Sequence, residues 1–203
     1  MEKMRLTDMY NTALFIVLTV AGLLVLPGCQ RTPSAMSMET AAAGRSEFAG
    51  QPAPDFTLMN QDSQPVALSQ ERGKWVVLYF YPKDDTPGCA CEANEFTELL
   101  TQFRNMNALV LGISADSPKS HRLFIEKYNL SLTLLSDPNH AVMKRYGAWV
   151  ESSLGDKKTE RVIRSTFIIG PQGTVRYHFP EVIPQGHAER VREKLAELQR
   201  GGM

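Results

Sequence analysis

Residues 75–106 read WVVLYFYPKDDTPGCACEANEFTELLTQFRNM, and this stretch decides the architecture. Trp75 to Tyr81 is an unbroken apolar and aromatic run with β-branched valines, the pattern of a strand covered on both faces and therefore central in its sheet. The polar turn KDDTPG follows. Thr86 is a good N-cap and Pro87 a favoured first helical residue, and the spacing predicts a helix from about Cys89 to Met106. Phe96, Leu99, Leu100 and Phe103 fall three and four apart and give that helix one apolar stripe.

Working outward, FTLMN and PVALS flank a QDSQ turn and suggest a short hairpin before the central strand. After the helix come a second buried strand in ALVLGIS, a helix from Ser117 to Tyr128, a strand in LTLLSD and a short helix from Ala141 to Tyr146. STFIIG, the turn PQG and TVRYHF form an antiparallel hairpin, and a helix from about His187 to Gln199 closes the chain. Alternating strands and helices closed by a hairpin and a last helix are the thioredoxin order. The expected fold is therefore α/β and thioredoxin-like, a central mixed sheet flanked by helices in a single domain, residues 51–203.

The start of the chain differs. Lys3 and Arg5 precede an apolar run from Leu14 to Leu26, which Pro27, Gly28 and Cys29 follow at once. That order predicts a secretory signal, residues 1–28, and a run of about 13 residues is short of the roughly 18 to 20 that a spanning helix needs. The sequence LPGCQ resembles the lipobox of bacterial lipoproteins, which makes Cys29 the acylated first mature residue and its lipid the membrane contact. Gln30 after that cysteine is compatible with outer-membrane sorting. Residues 29–50 are small and polar and suit a flexible tether, Met36 and Met38 included. The expected location is the cell envelope, on the periplasmic side of a bacterial membrane.

Composition narrows the partners. Twenty-two Lys and Arg balance 22 Asp and Glu in 203 residues, so no field draws the chain to nucleic acid. Of three cysteines, lipidation of Cys29 leaves Cys89 and Cys91, too few for a disulfide framework. The four histidines, His121, His140, His178 and His187, are scattered, with surface or capping roles expected and no metal spacing.

Cys89 falls in the first turn of the predicted helix, where unpaired N–H groups and the positive end of the dipole favour a thiolate. By itself that residue is equally well a small core hydrophobe. Arg164, by itself, reads as a solvated charge.

Pro82, Thr86 and Cys89 at the spacing P-x-x-x-T-x-x-C, and TPGC followed by an acidic residue and an EF pair, resemble the bacterioferritin comigratory protein, or Q-type, branch of the peroxiredoxins. APDFTL, RSTFIIGPQGTV and HAERVREKLAEL extend the likeness in family order over about 150 residues. The resemblance implies the thioredoxin fold and a thiol peroxidase acting on hydrogen peroxide and organic hydroperoxides through a cysteine sulfenic acid. It implies Cys89 as the nucleophile, with Thr86, the Cys89 amide and Arg164 as donors and Pro82 as its shield. No metal, flavin or haem is implied. A hydroperoxide, an external thiol reductant and the membrane are the expected partners, and a monomer the expected state.

The chain departs from many members of that branch in one respect. Asn94 stands five residues after Cys89, where a resolving cysteine is common. Cys91 is the remaining candidate resolver, but residues two apart on a helix point to nearly opposite sides, so a bond to Cys89 needs the first turn to unwind. A one-cysteine cycle and a bystander role for Cys91 stay open beside it. Two further classes share the compartment or the fold. A thioredoxin-like thiol-disulfide or copper-delivery lipoprotein calls for C-x-x-C or C-x-x-x-C, and this chain has C-x-C. A non-catalytic domain would have no reason to keep Pro82, Thr86, Cys89 and Arg164 together.

Overall fold

The central run does form the central strand. In a computed structural model that describes residues 47–154 and 157–201, β3 (Trp75–Phe80) lies between β4 (Ala108–Ser114), parallel to it, and β8 (Ser165–Ile169), antiparallel to it. β1 (Thr57–Asn60), β2 (Pro65–Ala67), β5 (Thr133–Ser136) and β9 (Val175–Phe179) complete a seven-stranded mixed sheet in the order β2-β1-β5-β4-β3-β8-β9. The reason that β3 reads as continuously apolar is that each of its faces meets a separate core. Val77, Tyr79 and Tyr81 enter one, and Val76, Leu78 and Phe80 the other.

The first core is covered by α1 (Pro87–Asn105), α2 (Pro118–Tyr128) and α4 (His187–Arg200), through Phe96, Phe103, Phe124, Val191 and Leu195. The second is covered by α3 (Ala141–Arg145), through Val142 and Met143, with Tyr146 and Phe56 beside them. Phe48, in the stretch read as tether, packs its ring edge-on against Phe167, with centroids 5.2 Å apart. The signal segment, Cys29 and most of the tether lie outside the described residues.

One element was absent from the sequence reading. β6 (Trp149–Leu154) and β7 (Lys157–Val162) form a separate antiparallel hairpin, with Trp149 stacked on His140 at 3.6 Å. It is a sheet separate from the main one, and its arms are mostly polar in sequence; Trp149 and Val162 at its base pack against the second core, too few to give a core-facing alternation. Among the described residues no helix is long and apolar enough to cross a membrane.

Placement of α1 follows from one cross-strand pair. Tyr79 on β3 stands opposite Gly112 on β4, and a Cβ at Gly112 would lie 2.6 Å from the Tyr79 ring and hydroxyl. Only glycine leaves room for that ring, which stacks on Phe96 of α1 with centroids 4.8 Å apart. The stack sets the height of α1 over the sheet, and with it the position of Cys89.

Candidate active site

Cys89 lies in the first turn of α1 and is 2% exposed. Thr86 precedes the helix in extended conformation, Pro87 is its first residue, and the Ala90 N–H closes onto Thr86 O at 2.8 Å. Gly88 and Cys89 therefore contribute amides from the part of a helix that lacks intrahelical acceptors. The sulfur is a free thiol. Cys89 and Cys91 are accordingly not bonded to each other, and Cys91 and Asn94 are both half-buried.

Arg164 comes to this sulfur from the residue just before β8. Its Nη2 donates to Cys89 Sγ at 3.2 Å and its Nη1 donates to Glu92 Oε2. The arginine side chain is 12% exposed and that of Glu92 is 0% exposed. The Arg164 carbonyl accepts from Val182 N–H at 3.0 Å, which brings residues 182–186 over the site. Gly88 is hemmed in there: an added Cβ would sit 3.4 Å from Pro184 Cγ and 3.6 Å from Arg164 Nη2.

Burial dominates the electrostatics. It pushes the Glu92 carboxyl up to about 7 against the opposing pull of Arg164, while Glu95 pushes the same way as burial and Arg190 opposes it. Burial also disfavours the charged form of Arg164, but Glu92 and the Cys89 sulfur outweigh it and the guanidinium holds its proton more firmly than usual. Tyr79 is driven well above the ordinary phenol range by burial, then by Glu92 and Cys89, so it stays neutral.

Thr86 and Pro82 enter differently from the sequence expectation. The Thr86 hydroxyl donates to Lys83 O at 3.1 Å, so it must turn before it can donate to a reacting oxygen. Pro82 is exposed on the loop. The close cover on the sulfur comes from Arg164, a side chain long enough to reach Cys89 across the mouth of the site.

The loop between β3 and α1 is bolted to α2 by two aspartates. Asp84, 5% exposed, accepts from Tyr81 OH at 2.7 Å, Ser120 Oγ at 2.7 Å and His121 Nδ1 at 2.9 Å, and its own N–H donates to Asp116 Oδ2. Asp85, exposed and at φ 58°, accepts from Lys127 Nζ at 2.7 Å and from Tyr128 OH at 2.8 Å. The Lys127 hydrogen bond, then that of Tyr128, holds the Asp85 carboxyl below its usual range.

These contacts correct the reading of the histidines. His121 and His187 are fully buried, each with one ring nitrogen paired: His121 Nδ1 with Asp84, and His187 Nε2 with Thr166 Oγ1 at 2.8 Å. His140 does precede a helix, and His178 stacks on Phe167. Among the described residues no cluster of three His, Cys, Asp or Glu side chains is arranged to hold a metal.

Glu92 and Asp84 are what sequence reasoning missed. Glu92 had a signal, since it lies three residues after Cys89 and so on the same helix face. Asp84 had none, because its partners are Tyr81 just past β3, Asp116 and the start of α2, and an aspartate in KDDTPG reads only as turn chemistry.

The sequence pattern of the AhpC/TSA family matches residues 49–178. The chain is 43% identical to a putative peroxiredoxin bcp of Coxiella burnetii over 146 residues, covering 72% of this chain and 97% of that one. It is 36% identical to peroxiredoxin Bcp of Bacillus subtilis over 149 residues, 73% and 95% of the two chains. Among solved structures it is similar to the bacterioferritin comigratory protein of Xanthomonas campestris, studied for its alkyl peroxide reduction activity, with a TM-score of 0.68 and 34% identity over 70% of this chain and 90% of that one. A peroxiredoxin Q variant from Xylella fastidiosa aligns with a TM-score of 0.70 and 37% identity, over 76% and 98%.

Proposed function

This chain belongs to the AhpC/TSA family and, within it, to the peroxiredoxins of the Bcp or Q type, which reduce peroxides with thiols, and from that premise we propose that Cys89 is its peroxidatic residue. The observation that carries the proposal is the 3.2 Å contact from Arg164 Nη2 to a nearly buried Cys89 sulfur at a helix start. A permanently charged guanidinium there stabilises a thiolate and offers a second directed N–H to a peroxide oxygen.

The thiolate attacks the outer oxygen of hydrogen peroxide or an organic hydroperoxide in line with the O–O bond. A sulfenic acid forms on Cys89, and water or an alcohol leaves. Negative charge moves from sulfur to the leaving oxygen, and the donors that follow it are Arg164, the Cys89 amide and, once rotated from Lys83 O, Thr86. An external thiol then reduces the sulfenic acid. Asn94 at the usual resolving position and the divergent direction of Cys91 on the helix favour this one-cysteine route.

The proposal extends to place. The charged start, the apolar run from Leu14 to Leu26 and LPGCQ support export and lipidation of Cys29, which holds a monomeric enzyme on the periplasmic side of the cell envelope as an antioxidant. Metabolic labelling with a fatty-acid analogue tests this part: Cys29→Ala should lose the label, and a label that persists refutes it.

The central test is peroxide consumption by reduced protein with a generic thiol. Cys89→Ser should abolish turnover, and Arg164→Ala should slow the first oxidation by about 100-fold or more, the scale of losing a directed donor. Cys91→Ser should leave turnover intact. Parent-rate turnover in Cys89→Ser would sink the assignment, and lost turnover with intact oxidation in Cys91→Ser would make Cys91 the resolver.

A further inference from the structure

One guanidinium serves two acids at this site. Arg164 donates one N–H to Cys89 Sγ and another to Glu92 Oε2, and Cys89, Glu92 and most of Arg164 are withdrawn from water. In such surroundings one positive charge balances one negative charge, and a second anion is left without compensation. The neighbours do not alter that balance. Glu95 from α1 and Arg190 from α4 face Glu92 with opposite signs, and Tyr79 from β3 is a neutral phenol. His187 at the start of α4 is held uncharged by burial and by Arg190 and Arg164.

We infer that Cys89 and Glu92 share a single negative charge through the catalytic cycle, with Glu92 storing a proton while Cys89 is a thiolate and releasing it when the sulfur is oxidised. This rests on the reading of Cys89 as the peroxidatic residue. The Glu92 Oε1 atom is buried and has no hydrogen-bond partner among the described residues, an arrangement that an ionised carboxylate tolerates poorly and a protonated one better. The displacement of the Glu92 carboxyl up to about 7 agrees with it.

The step balances as follows. The Cys89 thiolate, R–O–OH and the Glu92 carboxylic acid give the Cys89 sulfenic acid, R–OH and the Glu92 carboxylate. The S–O bond forms as the O–O bond breaks, sulfur is oxidised by two electrons, and the transferred hydroxyl keeps its hydrogen. The leaving oxygen departs with the electron pair and gains one proton, matched by the one that Glu92 gives up. No proton is then drawn from solvent, whereas a lone thiolate must take one up for each sulfur oxidised. Reduction of the sulfenic acid and re-formation of the thiolate return the proton to Glu92.

Glu92 is thus a proton-storing residue that acts beside the guanidinium, and its signature is a proton count. Reduced full-length protein is mixed with one equivalent of hydrogen peroxide in weak buffer with a pH indicator, at a pH below about 7 where ultraviolet absorbance shows Cys89 ionised. The parent should take up no net proton and Glu92→Gln one proton per sulfur oxidised, with the variant's thiolate forming at lower pH. A second measurement needs no variant: the infrared difference spectrum of the parent on oxidation should lose a protonated-carboxyl stretch and gain a carboxylate. Equal proton uptake by parent and variant, uptake of one proton by the parent wherever the thiolate absorbs, or a carboxyl band that survives oxidation overturns the inference while leaving Cys89 as the nucleophile. A Cys89 that peroxide leaves unoxidised overturns the underlying assignment instead.

Discussion

The buried carboxyl of Glu92 makes folding stability depend on pH in a direction opposite to most carboxylates. In the unfolded chain it ionises near 4.5, whereas burial in the folded protein raises this to about 7. Below 4.5 both states hold the proton and nothing is lost. Between 4.5 and about 7 the unfolded chain has given it up and the folded chain has not, so the folded state is penalised increasingly as pH rises. At about 1.4 kcal/mol for each tenfold difference in proton affinity, the accumulated loss is roughly 3 kcal/mol, complete above pH 7, and the full burial of the group leaves no solvent screening to discount. Glu92→Gln keeps the shape and removes the titration. Urea unfolding of reduced parent and variant across this window should therefore show the parent losing roughly 3 kcal/mol relative to the variant as pH rises. Both proteins carry Cys89→Ser, which removes the thiol whose ionisation the Glu92 charge alters, so the remaining acids contribute alike to both and cancel. Parallel pH profiles for the two would refute the reasoning, because they would mean that Glu92 ionises alike in the folded and unfolded chain.

Gly112→Ala puts a Cβ 2.6 Å from the Tyr79 ring, and urea unfolding should register a loss of about 1–3 kcal/mol; a loss under about 0.5 kcal/mol would show that the ring moves freely. Asp84→Asn leaves one acceptor oxygen for the three donors Tyr81 OH, Ser120 Oγ and His121 Nδ1, at a cost of about 1–3 kcal/mol, and the loosened loop should slow Cys89 oxidation in rapid-mixing assays. An unchanged oxidation rate would separate that network from the site. His178, lowered from 6.5 to about 4 by burial, contributes stability that is present above 6.5 and lost as pH falls through about 4, so His178→Phe should flatten the acid limb of the thermal unfolding profile. A limb as steep as the parent's would rule His178 out as its source.

What the sequence disclosed divides along physical lines. β3 and β4 were legible because strands covered on both faces read as apolar runs, and α1 because Thr86 and Pro87 mark its start. The β6–β7 hairpin was not legible, since its arms are mostly polar in sequence and, among the described residues, its strands pair with each other and not with the main sheet. Cys89 was half legible: a helix start favours a thiolate but suits a small core hydrophobe equally well, and the family likeness decided between them. Arg164 was not legible: the contact spans 75 residues, and nothing local distinguishes an arginine beside a strand from a solvated one. Only the likeness of RSTFIIG to a known block pointed to it.

The same division explains why the Cys89 sulfur is held by residues that sequence reading takes for ordinary ones. Tyr79 and Gly112 fix the helix that bears Cys89, Asp84 and Asp85 fix the loop that starts that helix, and Arg164 and Glu92 fix the sulfur. The two halves of the loop anchor differ in strength. The Asp84 network is buried and each of its donors would be left unsatisfied by its loss, whereas the Asp85 pair with Lys127 is exposed and screened by water. The exposed Asp85 contacts with Lys127 and Tyr128 are therefore the weaker of the loop's two attachments to α2.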